Sequence, residues 1–191
     1  YLLDKITFFK LKAPVITAVI LFSLIQLYLS YFVLLKYERS ENYGYSYLEL
    51  FRKVETMRDK HFVVDSSREL GTGIRFAFIK KYDPLSLQKV LSNQVKGKYY
   101  SNFEYDEPYT LDNIEARPII WDKDVYKEQI LVGDLLAISD NQMREHYLKF
   151  IFDIKDRAGN IALKAYITDP MAKCQSDERN GQLNIKYCNK Y

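Results

Sequence analysis

Residues 13–35 read APVITAVILFSLIQLYLSYFVLL, 23 consecutive positions without a charged side chain. The strongly polar residues within them are Thr17, Ser23, Gln26 and Ser30. A helix of that length spans roughly 35 Å, more than the hydrocarbon core of a bilayer at about 30 Å. Pro14 stands where the first turn is expected, a position that needs no N–H donor. Tyr28 and Tyr31 lie towards one end, where amphipathic rings favour the headgroup zone. A buried core helix seldom stays uncharged for so long. A cleaved signal peptide has a shorter apolar run and a small-residue cleavage site, and none follows Leu35. The reading is a membrane span over 13–36, preceded by a short basic inner-side segment (1–12) and followed by a linker (37–45). A soluble domain, 46–191, completes the chain.

The first residue is Tyr1, not Met, as in a processed or incompletely recorded chain. About 156 residues follow the span, enough for one domain with a real core. The net charge is +3, of which Lys5, Lys10, Lys12 and Asp4 account for most before the span. A near-neutral domain has no electrostatic footprint for nucleic acid. The same three lysines place the N-terminus inside and the domain outside, against Lys36 and Arg39 on the other flank.

Ser46-Tyr47-Leu48-Glu49 reads as a capping box. The apolar positions Tyr47, Leu50, Phe51, Val54 and Met57 then recur at helical spacing to about residue 60. After the Gly71-Thr72-Gly73 turn, Ile74, Phe76 and Phe78 alternate as in a strand. Leu85, Leu87, Val90 and Leu91 suggest a short helix to about Val95. Residues 96–115 are tyrosine-rich and read as irregular, with one strand. Short strands are expected over 118–121, 125–131 and 135–138. The firmest β pattern is 147–154, turning at 156–160 into 161–168. A polar loop turning at Asn180-Gly181 and a closing strand over 183–187 follow. The expected fold is α+β: an amphipathic helix packed on a mainly antiparallel sheet, with an insertion at about 80–144.

Chemistry is sparse. His61 and His146 lie in no metal-ligand spacing. Gly71-Thr72-Gly73 precedes its expected strand and lacks a third glycine, which fails the dinucleotide fingerprint. No phosphate-binding loop, nucleophile elbow or spaced acid pair occurs. The expectation is no enzyme, no catalytic residues, no cofactor, no metal and no small-molecule substrate. Cys174 and Cys188, the two cysteines, flank the expected last hairpin within one residue of register. A disulfide is the leading reading, two separate reduced thiols the other; a bridge implies an oxidising compartment.

The order of parts, with Leu70-Gly71-Thr72-Gly73-Ile74 after an amphipathic helix and a terminal meander through Arg157-Ala158-Gly159, resembles a mitochondrial superfamily. It is the superfamily of the twenty-one-kilodalton presequence translocase subunit and cytochrome c oxidase assembly factor one. The likeness covers roughly 45–79 and 145–188. It departs between them, where the family places little. The resemblance implies a mitochondrial inner-membrane protein, N-terminus in the matrix and domain in the intermembrane space. Such a protein docks without catalysis on respiratory-chain components, as accessory subunit or assembly factor, or on the presequence translocase. A bacterial envelope or secretion-machine subunit with a periplasmic domain is the alternative. Expected partners are membrane lipid and other protein subunits. The expected contacts are Tyr99, Tyr100, Phe103, Tyr105, Tyr109 and Trp121, because such rings supply large area at low entropic cost; the same rings also suit a second small core.

Overall fold

The structure, a computed structural model, describes residues 9–68, 71–95, 109–182 and 184–188, without the side chains of 9–11, 91–95, 109 and 185. Two compact units result, 1–43 and 44–191.

In the first unit, α1 (Phe9–Tyr28) runs through a π-helical turn (Leu29–Leu34) into α2 (Leu35–Tyr37). The 26-residue stretch Lys12–Tyr37 is long and apolar enough to cross a membrane. Its apolar side chains are exposed throughout, Leu27 and Phe22 among the most. The described helix already runs from Phe9, so Pro14 lies inside it and not in its first turn. The π-helical turn carries an aromatic group, Tyr28 and Tyr31 each about 5 Å from Phe32 between ring centroids.

The second unit is α+β. Six strands, β1 (Phe62–Val64), β2 (Tyr109–Leu111), β3 (Ile114–Ala116), β4 (Ile130–Gly133), β5 (Lys149–Lys155) and β6 (Ile161–Ile167), form one sheet in the order β2-β3-β1-β4-β6-β5. β2–β3, β4–β6 and β5–β6 are antiparallel. β1 is parallel to both its neighbours, β3 and β4. Its three residues, Phe62, Val63 and Val64, are wholly buried, as a strand covered on both faces must be.

Pleating separates two cores. On one face Phe62, Val64, Ile130, Val132, Leu163 and Ala165 meet Tyr47, Leu50 and Val54 of α3 (Tyr45–Glu55) and Phe76 of α4 (Thr72–Ile79). On the other, Val63, Leu131 and Tyr166 meet Ile138 and Leu148, with Trp121 and Met143 against them. Lys53 of α3 lies 4.4 Å from the Phe152 ring centroid and donates to the Asp153 carbonyl, fastening that helix to β5.

Several local expectations are corrected. α3 starts at Tyr45 with Gly44 as its cap at φ 74°, so Ser46 is already inside and buried. Glu49 engages Arg52 at 2.6 Å instead of reaching back as in a capping box. Residues 74–79 are helix, not strand: Thr72, Gly73, Phe76 and Ala77 are the buried positions, at the i, i+1, i+4, i+5 spacing of a helix face. The expected strand over 118–121 gives way to α6 (Trp121–Asp124), the one over 125–131 to β4 beginning at Ile130, and 135–138 to a turn. Asp169-Pro170 opens α8 (Pro170–Arg179): the Asp169 carboxylate accepts from the Ala172 amide at 3.0 Å, and Pro170 sits where no N–H is needed. Within 183–187, residues 185–187 belong to a helical turn, α9 (Ile185–Cys188), and not to a closing strand. The short helix α5 (Pro84–Val95) and the turn at 156–160 stand where the pattern put them.

Candidate functional site

The carboxyl ends of β3, β1 and β4 point the same way, and in open sheets of this kind ligands gather at that edge. Here the edge is occupied by its own loops. Asp65, after β1, accepts from the Ile119 amide at 3.1 Å and from Ser67. Asp134, after β4, accepts from the Leu136 and Ala137 amides at 2.9 and 2.6 Å, with Arg68 3.8 Å away.

Behind this edge lies an ionic chain that is buried at Arg117 and Asp124 and opens outwards at Glu115 and His61. Arg117 forks onto Asp124 at 2.6 and 2.7 Å and reaches Glu115 at 2.9 Å; Glu115 in turn faces His61 at 3.4 Å. Asp124 is fully buried, and it also accepts from the Ile120 amide, which starts α6. Burial pushes the Asp124 carboxyl up, but the Arg117 hydrogen bonds, the Ile120 amide and the Arg117 charge outweigh it and hold the pKa below the ordinary carboxylate value. Glu115 behaves alike: burial raises it, and Arg117 and His61 together bring it below its usual value. The guanidinium is held charged still more firmly than usual, chiefly by Asp124.

A second polar node joins α8 to the rest. Asp177 accepts from Tyr126 Oη at 2.6 Å and from Lys173 Nζ at 2.7 Å. Burial, then the Asp177 hydrogen bond, pushes the Tyr126 phenol up to about 12. Tyr126 stacks on Tyr187 of α9, centroids 5.5 Å apart, and Cys188 beside it is bridged to Cys174 of α8 with 5.6 Å between the Cα atoms. The disulfide therefore joins two helices, not two strands of a hairpin. Close by, Trp121 stacks on His146. Burial, then Lys173, pushes the imidazole below its ordinary pKa, against opposing pulls from Glu145, Asp177 and Asp122.

Of the aromatic contacts expected from sequence, Tyr99, Tyr100, Phe103 and Tyr105 lie outside the described residues, as does the side chain of Tyr109. Trp121 packs half-buried on the second core. The same sheet edge exposes Ile120 (46%) after β3 and Leu135 (49%) and Leu136 (70%) after β4, residues that the sequence pattern assigned to strands. A groove of about 500 Å³ also opens between α3 and the β2–β3 turn, but its charges are paired, Arg58 with Glu55 along the α3 side and Lys80 with Asp112. Among the described residues no group of three or more His, Cys, Asp and Glu is placed to hold a metal. Chemically, the arrangement keeps Glu115 and Asp124 ionised against Arg117 and keeps His146 neutral near pH 7, while Ile120, Leu135 and Leu136 present apolar surface at the same edge.

No family model matches the chain, and no characterised protein or solved structure is significantly similar to it.

Proposed function

We propose that this chain is a non-catalytic, single-pass membrane protein, an accessory subunit or assembly factor whose α+β domain docks on a larger membrane complex. The observation that carries the reading is the exposed apolar cluster Ile120, Leu135 and Leu136 at the carboxyl edge of the parallel strands, where neighbouring carboxylates are spent on internal hydrogen bonds. Apolar residues exposed at one sheet edge, with a half-buried tryptophan next to Ile120, suit a protein partner better than a polar substrate. The disulfide fits a domain in an oxidising space. With the family resemblance, that favours the mitochondrial inner membrane with the domain in the intermembrane space, on respiratory-chain components; a bacterial inner membrane with a periplasmic domain satisfies the same chemistry.

Gentle-detergent extraction, a native gel and mass spectrometry of what co-migrates test the proposal. Co-migration with a complex that Leu136→Asp abolishes, at unchanged thermal stability, supports docking through this edge. An unaccompanied monomer with the parent chain overturns the stable-subunit reading.

A further inference from the structure

α4 has apolar side chains on both faces. Phe76 and Ala77 face the core, while Ile74 and Phe78, one turn apart, are 46% and 83% exposed. Leu85, at the start of α5, is 67% exposed. Cations surround these three. Lys80 and Lys81 follow α4, Lys89 stands one turn beyond Leu85, and residues 71–95 carry four basic side chains against one carboxylate, Asp83, in a chain whose whole net charge is +3.

The location of α4 says what this face meets. Gly44 is the first residue of the folded unit, and a Cβ placed on it would stand 3.4 Å from Arg75 Cδ of α4. Arg75 in turn lies over the Tyr47 ring in the first turns of α3, 5.5 Å from its centroid. The exposed face of α4 is therefore beside the point where the chain enters the domain. Six residues separate Gly44 from the end of α2, a tether of about 20 Å at full stretch. A surface held that close to a bilayer meets lipid at a high effective concentration, whereas a second copy or a partner must compete for it. Aromatic and aliphatic side chains flanked by lysines are the composition of interfacial, membrane-lying segments.

We propose that α4 and the start of α5 form a bilayer-contact surface: Ile74, Phe78 and Leu85 enter the headgroup–acyl boundary, and Lys81 faces anionic phospholipid headgroups. The inference rests on residues 13–36 spanning the membrane. It goes beyond anchoring, because it fixes which side of the domain is turned towards the lipid and leaves the carboxyl edge of the sheet for protein.

The test uses the full chain reconstituted in phosphatidylcholine–phosphatidylglycerol liposomes, some containing lipid spin-labelled near the headgroup. Phe78→Trp is the reporter, read against the emission of Trp121 in the parent chain. The expected result is a blue-shifted position-78 emission that the spin label quenches. Adding Ile74→Asp and Leu85→Asp should shift the docked-to-free ratio by about tenfold or more. Unquenched, solvent-like emission from a chain that co-floats with the liposomes overturns the docking surface. A blue shift without quenching overturns it too, since protein then covers the face. Failure to co-float is a separate outcome and removes the membrane span on which the inference stands.

Discussion

Trp121 and His146 stack with ring centroids 4.6 Å apart and planes 13° from parallel. They come from α6 and from the residue closing α7 (Asp140–Glu145), so the stack joins two short helices over the second core. It also gives the domain a built-in reporter, because Trp121 is its only tryptophan. Protonating His146 puts a cation on the indole face, and its pKa in the folded chain lies below the ordinary value. Stability from neutral His146 is complete above the unfolded value of about 6.5 and falls as pH drops through the folded pKa. A pH titration of tryptophan emission should show one transition with its midpoint below about 6.5, and His146→Phe should abolish it while keeping the stack. A midpoint above that value contradicts the buried environment.

Arg117 and Asp124 offer the largest single-site effect. Removing one partner strands the other as a buried charge, at a cost of about 3–5 kcal/mol. Arg117→Ala should therefore lower the urea midpoint sharply, and Arg117→Lys should recover only part of it, since an ammonium cannot fork onto a carboxylate. Glu115 and Asp124 both titrate below their ordinary values in the folded chain. Their contribution is thus present above about pH 4 and lost as pH falls further. Acid unfolding of Glu115→Gln should begin from a lower starting stability and show a shallower dependence below that pH.

Cys174 and Cys188 close a loop with a sequence separation of 14. Such a loop contributes about 3 kcal/mol in the chain-entropy model. Reduction, or Cys174→Ser, should lower the denaturation midpoint accordingly and loosen α9 before the sheet, as hydrogen exchange by mass spectrometry would show. A reduced chain with an unchanged midpoint contradicts this.

Gly133 ends β4 where the chain passes close to the following turn. A Cβ there would stand 2.9 Å from Ala137 Cβ and 3.3 Å from Ile138 Cγ1. Gly133→Ala should cost about 1–3 kcal/mol by overpacking, read by calorimetry. A neutral result means that the 134–138 turn shifts freely.

The sequence was most readable where a pattern had one structural meaning. An uncharged run of span length, the helical spacing of Tyr47, Leu50 and Val54, and the hairpin of β5 and β6 all belong to that kind. It misled where two periods overlapped. Ile74, Phe76 and Phe78 alternate like a strand, yet only Phe76 enters the core; the other two are apolar residues on an exposed face, which a period count cannot distinguish from buried ones. Cap chemistry carried more than was taken from it. Ser46-Tyr47-Leu48-Glu49 matches a capping box and is not one, whereas Ser139 and Gln142 form one at the start of α7. Asp83-Pro84 and Asp169-Pro170 each open a helix with the aspartate accepting from an amide three residues on. The Arg117–Asp124 fork was not legible, since it depends on the chain between two residues seven positions apart folding back on itself. The parallel pairing of β1 with two strands far downstream has no local signature at all.

That last feature bears on how the domain is made. β1 has its hydrogen-bonding partners at residues 114–116 and 130–132, more than fifty residues later. A chain delivered N-terminus first, and held at a membrane while the remainder follows, offers Phe62, Val63 and Val64 no neighbours until both partner strands have arrived. Loop closure of that length slows folding. β1 therefore stays unpaired until the chain is complete through at least Val132. The domain's most apolar strand waits uncovered meanwhile, which makes the interval before β4 emerges the period of greatest exposure to aggregation and to chaperones.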